Sequence, residues 1–437
     1  MADQFLEGSG EGGELAEWWN QFGDAVLSEI VQEALTGNLD LRLQLEKIEE
    51  VRARYKLRGS DLWPEIDLTG TFQREQISEN IFLAPFEGPR IQDFFSLGFD
   101  ASWELDLFGR LRRLKNAAYA QWEAAGEGLR DVQVSVVGEI GRTYGLYRGA
   151  EAQAKVTYES IEGLKRLLFL KEVLLEAGLA EAQEVELVQA RLMRLSATLP
   201  LLEQQKGESL LHLAILTGRQ PESIPESWKG EGSLVKSSGR IPVGLPSDLL
   251  RRRPDIRRAE RELAAQTELV GAAVAGLFPT FSLTGGLSFQ SDEADDLFEG
   301  KSFAWNFGPS LSWPAIDFGR VRNRVDIEKA RQKQALTGYE QTVLLALEEV
   351  EKNLLAYGKQ AIRVEELGRE VASLSDRAQL AADLTQAGLA SEIGLLEAKL
   401  LELERELDRV RGEERLTLHL MALYKSLGGQ WPCSATP

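Results

Sequence analysis

Phe95–Arg110 reads FSLGFDASWELDLFGR, and Phe303–Arg320 reads FAWNFGPSLSWPAIDFGR. In the first stretch Phe95, Leu97, Phe99, Ala101, Trp103, Leu105 and Leu107 alternate with Ser96, Gly98, Asp100, Ser102, Glu104 and Asp106. Period two gives a strand with one apolar and one polar face. The second stretch repeats this with Phe303, Trp305, Phe307, Leu311, Trp313 and Ala315. Pro309 lies inside it and cannot donate to a ladder, which predicts a kink or irregular pairing. Both runs end in Phe-Gly-Arg, at Phe108–Arg110 and Phe318–Arg320, an offset of 210.

Trp63-Pro64 followed by Leu68-Thr69-Gly70 recurs as Phe278-Pro279 followed by Leu283-Thr284-Gly285, an offset of 215. Ala177–Ala180 (AGLA) recurs as Ala387–Ala390, again at 210. The chain is therefore two copies of one unit of roughly 200 residues. The smaller second offset shortens the loop between the second copy's strands. Each copy opens with a further period-two segment, Ile66–Gln73 and Phe281–Gln290. That makes four amphipathic strands.

The rest reads as helix. No Pro occurs between Arg90 and Leu199 or between Ala315 and Trp431. Val137, Ile140, Tyr144, Tyr147, Ala154, Tyr158, Ile161, Leu168 and Leu175 follow heptad-like steps. Val343, Leu347, Val350, Leu354, Tyr357, Ala361, Val364 and Val371 do the same in the second arm. Arg110–Ala177 would make a helix of about 100 Å. Gly178 and Gly388 are the natural stops, each followed by a returning helix. Pro200 should kink the first of these. Residues 218–246 are the Pro/Gly/Ser-rich joint between copies.

Composition narrows the function. The 437 residues carry a formal charge of −19, with 43% hydrophobic and 27% charged residues. One cysteine, Cys433, and two histidines, His212 and His419, exclude disulfide frameworks and cysteine-based zinc sites. The acidic balance argues against nucleic acid. No run of 18 apolar residues exists for a spanning helix, but a β-barrel needs none. His212 and His419 sit in Leu-rich runs and read as packing residues. Arg251, Arg252, Arg253, Arg257, Arg258 and Arg261 are interleaved with Asp248, Asp255, Glu260 and Glu262, so ion pairing within and between chains is expected. Gly8–Gly13 matches G-x-G-x-x-G without a preceding strand and is discarded. No catalytic motif is present, so no enzyme activity, metal or cofactor is expected.

Four amphipathic strands cannot close a barrel. Either they pack on a soluble core, or several chains pool strands into one barrel. Gly244–Ser291, beginning GLPSDLLRRRPDIRRAERELAAQ, resembles a signature of the TolC-like outer-membrane efflux family, most similar to its lipoprotein-type (NodT-like) branch. Trp18, Trp19, Phe22, Asp24, Ala34, Leu35, Asn38, Asp40 and Leu41 resemble that branch's mature N-terminus. The likeness covers about residues 15–430.

The resemblance implies a homotrimer of mixed α and β structure. Three chains would give four strands each to one transmembrane β-barrel, continued by a long α-helical barrel. The implied division is barrel strands at 64–108 and 279–318, and periplasmic helices at 38–62, 109–217, 247–277 and 319–426. The equatorial region would be 15–37, 218–246 and 427–437, and 1–14 a flexible N-terminus. The implied function is a passive exit duct for small toxic compounds in the outer membrane, extending into the periplasm. Its partners would be outer-membrane lipid, a periplasmic adaptor and an inner-membrane RND transporter. Ala177, Gly178, Leu179, Ala180, Ala387, Gly388, Leu389 and Ala390 would be adaptor-docking tips. Two lumenal acids of the family gate fall at Gly394 and Glu397, leaving Glu397, with Glu392 nearby, as the gate carboxylates. The branch begins with an acylated Cys after a signal peptide; residues 1–17 show neither leader pattern nor lipobox. A type I protein-secretion outlet of the same fold and a soluble coiled-coil scaffold remain open at this stage.

Overall fold

The computed structural model describes residues 18–78, 91–230, 232–234 and 252–428. The chain divides into two compact units. One comprises the described parts of Met1–Glu46, Glu127–Arg257 and Gln341–Pro437, the other Lys47–Gly126 and Arg258–Glu340. This division cuts across the expected strand, helix and equator segments.

The second unit holds the sheet. Strands β1 (Glu65–Gln76), β2 (Ile91–Leu105), β3 (Thr280–Ser291) and β4 (Phe303–Ser312) form one antiparallel sheet in the order β1-β2-β3-β4. β4 ends at Ser312, short of the expected Ala315. The kink at Pro309 is absent. β4 pairs with β3 residue for residue, Leu283 opposite Pro309. Within one chain β4 is an edge strand, and an edge tolerates a residue without a donor.

Helix α1 is Ala25–Gly37, α2 Leu39–Ser60, α3 Arg110–Glu176, α4 Ala182–Ser196 and α5 Leu199–Leu216. In the second copy α6 is Pro254–Ala275, α7 Arg320–Gln386 and α8 Glu392–Ser426. α2 and α6 have 22 residues each, and α3 and α7 have 67 each, so the duplication is kept at the level of whole elements. Pro200 does more than kink the returning helix. α4 stops at Ser196 and α5 restarts at Leu199 with the proline in its first turn, where the missing N–H costs nothing. The second copy lacks that proline, and α8 runs unbroken through 35 residues.

The core of the first unit gathers Trp18, Trp19, Leu27, Ile30, Val31 and Ala34 against Val137, Ile140 and Tyr144 of α3. Leu213 of α5 and Leu420, Met421, Leu423 and Tyr424 of α8 belong to the same core, with Trp228 and Val350. Trp18 stacks on Tyr424 with centroids 5.0 Å apart and planes at 7°. The N-terminal residues that carried the resemblance are structural pins. Asp24 caps α1 by accepting from the Val26 and Leu27 amides at 2.9 and 3.1 Å, and its other oxygen accepts from the Tyr144 hydroxyl at 2.7 Å. Asn38 accepts from the amides of Asp40 and Leu41 and donates to the Leu216 carbonyl at 2.7 Å, tying α2 to the end of α5. Burial pushes the Tyr144 hydroxyl well above its ordinary pKa, so it stays a donor at any physiological pH. Arg148, itself buried, reaches both the Tyr144 oxygen at 2.9 Å and the Gly230 carbonyl at 2.6 Å, holding the start of the joint between copies.

Two seam positions differ from the heptad reading: Tyr158 and Leu175 are exposed while Val137, Ile140, Tyr144, Tyr147, Ala154 and Ile161 are buried. His212 is exposed rather than packed, its Nε2 3.3 Å from Glu139, whereas burial holds the half-buried His419 below its usual pKa. The arginine cluster forms the ion pairs expected within the chain. Arg253 binds Asp255 and Glu349, Arg257 binds Glu127, Arg258 binds Glu262, and Arg261 binds Glu260 and Glu123. Arg251 and Asp248 lie outside the described residues.

Candidate functional site: an amphipathic sheet and two helical tips

The sheet is built from rows of like residues. Leu68, Phe99, Leu287 and Trp305 stand opposite one another across all four strands. Ile66, Ala101, Gly285 and Phe307 form the next row. All four apolar faces therefore coincide. The opposite face carries Thr69, Gly98, Ser288 and Ala304, then Asp67, Asp100, Gly286 and Asn306. There Thr69 Oγ1 donates to Asp100 Oδ2 at 2.7 Å. Ile66, Leu68, Phe72, Phe99, Leu287, Trp305, Phe307 and Leu311 are all exposed. A soluble sheet would cover such a face. β1 and β4 each pair on one side only among the described residues.

At one end β2 begins at Ile91, four residues before the alternation does, and Arg74 faces Asp93 in the apolar register at 3.4 Å. This charged pair on the apolar face marks where that face stops. The sequence pattern missed it because it reads there as broken periodicity. From Phe95 to Leu105 the apolar run covers about 34 Å of strand at 3.4 Å per residue. Tilted at the ~45° upper end of the range for transmembrane barrels, it spans about 24 Å, against an apolar band of about 25 Å.

At the other end the repeated Phe-Gly-Arg turns strand into helix. Gly109 and Gly319 take φ of +77° and +83°, a conformation that favours glycine. Asp106 accepts from the Leu111 and Arg112 amides, both at 2.9 Å. Asp317 accepts from Gly319 and Val321 at 3.0 and 2.8 Å. The aspartate is displaced by one residue between copies, yet Leu111 and Val321 are equivalent. Both hairpins are pinned to the preceding helix end: Trp103 Nε1 donates to the Leu62 carbonyl at 2.9 Å, and Trp313 Nε1 to the Leu277 carbonyl at 3.1 Å.

The two AGLA segments, Ala177–Ala180 and Ala387–Ala390, lie where the long helices end. Gly178 and Gly388 adopt φ of +70° and +73°. The amide of Leu179 bonds the Leu174 carbonyl and that of Gly178 the Leu175 carbonyl. Leu389 and Gly388 repeat this with Leu384 and Thr385. Both are Schellman caps, which satisfy the last carbonyls of α3 and α7. Leu179 and Leu389 are left 74% and 76% exposed. These are two apolar knobs on caps that do not need them buried.

The two candidate gate carboxylates are near the tips but not joined to each other. Glu392, in the first turn of α8, accepts two bonds from Arg166 of α3 at 2.8 and 3.1 Å. Glu397 lies 4.0 Å from Lys171 Nζ, which also binds Glu184 of α4 at 2.5 Å. The sequence reading missed Arg166 and Lys171, because their partners are far away in the chain. The Arg166 hydrogen bonds hold the Glu392 carboxyl below its ordinary pKa. A lowered carboxyl pKa stabilises the pair above the ordinary glutamate range, and that stabilisation is lost as pH falls through the lowered value. A carbon-13 titration of Glu392 should therefore show a midpoint below that of free glutamate, returning to the ordinary value in Arg166→Gln. A parent midpoint already at the ordinary value would show that the pair is not formed.

A family profile described as outer membrane efflux protein matches residues 30–219 and again residues 245–429, one match per copy. The chain is similar to the solvent efflux pump outer membrane protein SrpC of Pseudomonas putida, 30% identical over 423 residues that cover 94% of this chain and 87% of that protein. It is similar to the cation efflux system protein CusC of Escherichia coli O6:H1, 29% identical over 422 residues covering 95% and 88%. Among solved structures it superimposes on the outer-membrane channel OprN with a TM-score of 0.87 at 36% identity, covering 95% of this chain and 93% of that one.

Proposed function

The chain belongs to the outer membrane efflux protein family, and from that premise we propose that three copies pool their strands into one outer-membrane exit duct. The fold is that of the outer-membrane efflux channels, and the chain is the outer-membrane component of an efflux system. One observation carries the trimer: a four-stranded sheet with two open edges and a single exposed apolar face. Three such sheets make a closed barrel of twelve strands, which removes every edge and turns the apolar rows to lipid. The Ser, Thr, Asp, Asn and Gly face then lines water.

In this reading the duct is passive and does no chemistry. Solutes pass through the lumen, and an inner-membrane RND transporter supplies energy and most of the selection. A periplasmic adaptor joins the two by docking on the tips, where Leu179 and Leu389 offer apolar contact beside small residues. Glu397 is the residue closest to an acidic ring at the periplasmic end. With Gly394 in place of a second acid and Lys171 beside Glu397, that ring holds cations weakly. SrpC and CusC carry pump names, for solvents and cations, and this favours small solutes over secreted proteins as cargo.

Purified protein added to a planar bilayer should give stepwise conductance of uniform size. Bilayers that stay silent at protein levels where intact trimers are present would overturn the duct.

A further inference from the structure

We propose that Phe318 and Trp63, the most exposed rings at the strand–helix junctions, are two halves of one aromatic stack formed between two copies of this chain. The proposal rests on the pooled-barrel reading and goes further, because it fixes which residues meet and in which register.

The duplication relates the two ends of the chain. Positions before the first strand of each copy are related by 215, so Trp63 corresponds to Phe278 and α2 to α6. Positions from the second strand onward are related by 210, so Phe108 corresponds to Phe318 and α3 to α7. Within the chain, the end of copy one meets the start of copy two. Phe108 stacks on Phe278 there, with centroids 4.7 Å apart and planes at 14°. Advancing this contact by one copy pairs Phe318 with the ring equivalent to Phe278, which is Trp63. The two cannot meet within one sheet, since β4 and β1 are its opposite edges. Both stand open, Phe318 at 95% exposure and Trp63 at 74%.

Two further observations agree. Arg113 of copy one pairs with Glu268 of copy two at 3.2 Å. Advanced by one copy, these positions become Asn323 and the partner subunit's Ala53. Both charges vanish together, so the joint between copies holds no unmatched ion from this pair. The β2–β3 register advances equally well. It sets Ser312 opposite the partner subunit's Thr69, Leu311 opposite the partner subunit's Gly70, and Ser310 opposite the partner subunit's Thr71. In these three pairs the polar positions meet polar ones and the apolar Leu311 meets glycine. A slip of one residue would turn the whole face over.

The test uses the full chain with Cys433→Ser, solubilised in detergent and treated with a short bis-maleimide. Phe318→Cys combined with Trp63→Cys should yield covalent dimers and trimers on a denaturing gel, while each single variant stays at monomer mass. Phe108→Cys with Phe278→Cys should cross-link within the chain and also stay at monomer mass. Ser312→Cys with Thr69→Cys probes the same joint through the strands and should again give dimers and trimers, so the register remains testable if the aromatic variants fail to assemble. If native mass reports a trimer while both inter-copy pairs stay monomeric, the contact and register are wrong and the pooled barrel stands. A monomeric native mass overturns the pooled barrel and this joint together.

Discussion

Leu287→Arg should abolish assembly in the outer membrane, whereas Ser288→Arg, one residue away, should leave assembly intact and lower the conductance of each channel. Leu287 sits mid-row between Phe99 and Trp305 on the apolar face, and Ser288 faces the other way between Gly98 and Ala304. An arginine on the lipid face near the bilayer midplane costs about 2–4 kcal/mol. A trimer would bear that cost three times, because each chain contributes the same row. At Ser288 the guanidinium projects into water, and Gly98 opposite leaves room for it. The readouts are the trimer band in outer-membrane fractions and the single-channel conductance. The reverse outcome, with Ser288→Arg lost and Leu287→Arg assembled, would mean that the polar face is the buried one.

The second large effect is expected at the tips. Leu179→Glu together with Leu389→Glu should reduce efflux to the level of cells without the channel, with trimer stability and bilayer conductance unchanged. Both leucines are already exposed, so the change removes almost no burial; surface substitutions of this kind usually stay within about ±0.5 kcal/mol. The caps are made by backbone amides, which the substitution keeps. What changes is the surface proposed to meet an adaptor, from an apolar knob to a carboxylate on each of two tips. Drug susceptibility of a complemented deletion strain reads the efflux, and melting of the purified protein reads stability. Full efflux from the double variant would remove these leucines from the docking surface.

Much of this architecture was legible because its two kinds of element differ in period. Phe95–Leu105 alternates strictly and is a strand; Val137–Tyr147 steps by three and four and is a helix. The duplication was legible because turns need particular residues, and Phe-Gly-Arg and AGLA recur where backbones must turn. Other features depend on neighbours that one sequence does not display. Pro309 reads as a defect until its strand is seen to be the last of the chain's own sheet, paired residue for residue with β3. Pro200 reads as a kink, but α4 and α5 separate around it. Arg74 and Asp93 break the alternation, yet they pair across β1 and β2. The charges on Glu392 and Glu397 were visible, but Arg166 and Lys171 become their partners only through folding. For the N-terminal Trp18-Trp19 segment the resemblance supplied a family likeness, and packing against Tyr424 supplied the reason.

In this reading one chain holds a third of a barrel, and the native mass of the detergent-extracted protein decides it. The chain mass is 48.6 kDa, and three copies, the closed assembly proposed here, give about 146 kDa before bound detergent. A monodisperse species of a single chain mass, soluble without detergent, would rule out the pooled barrel.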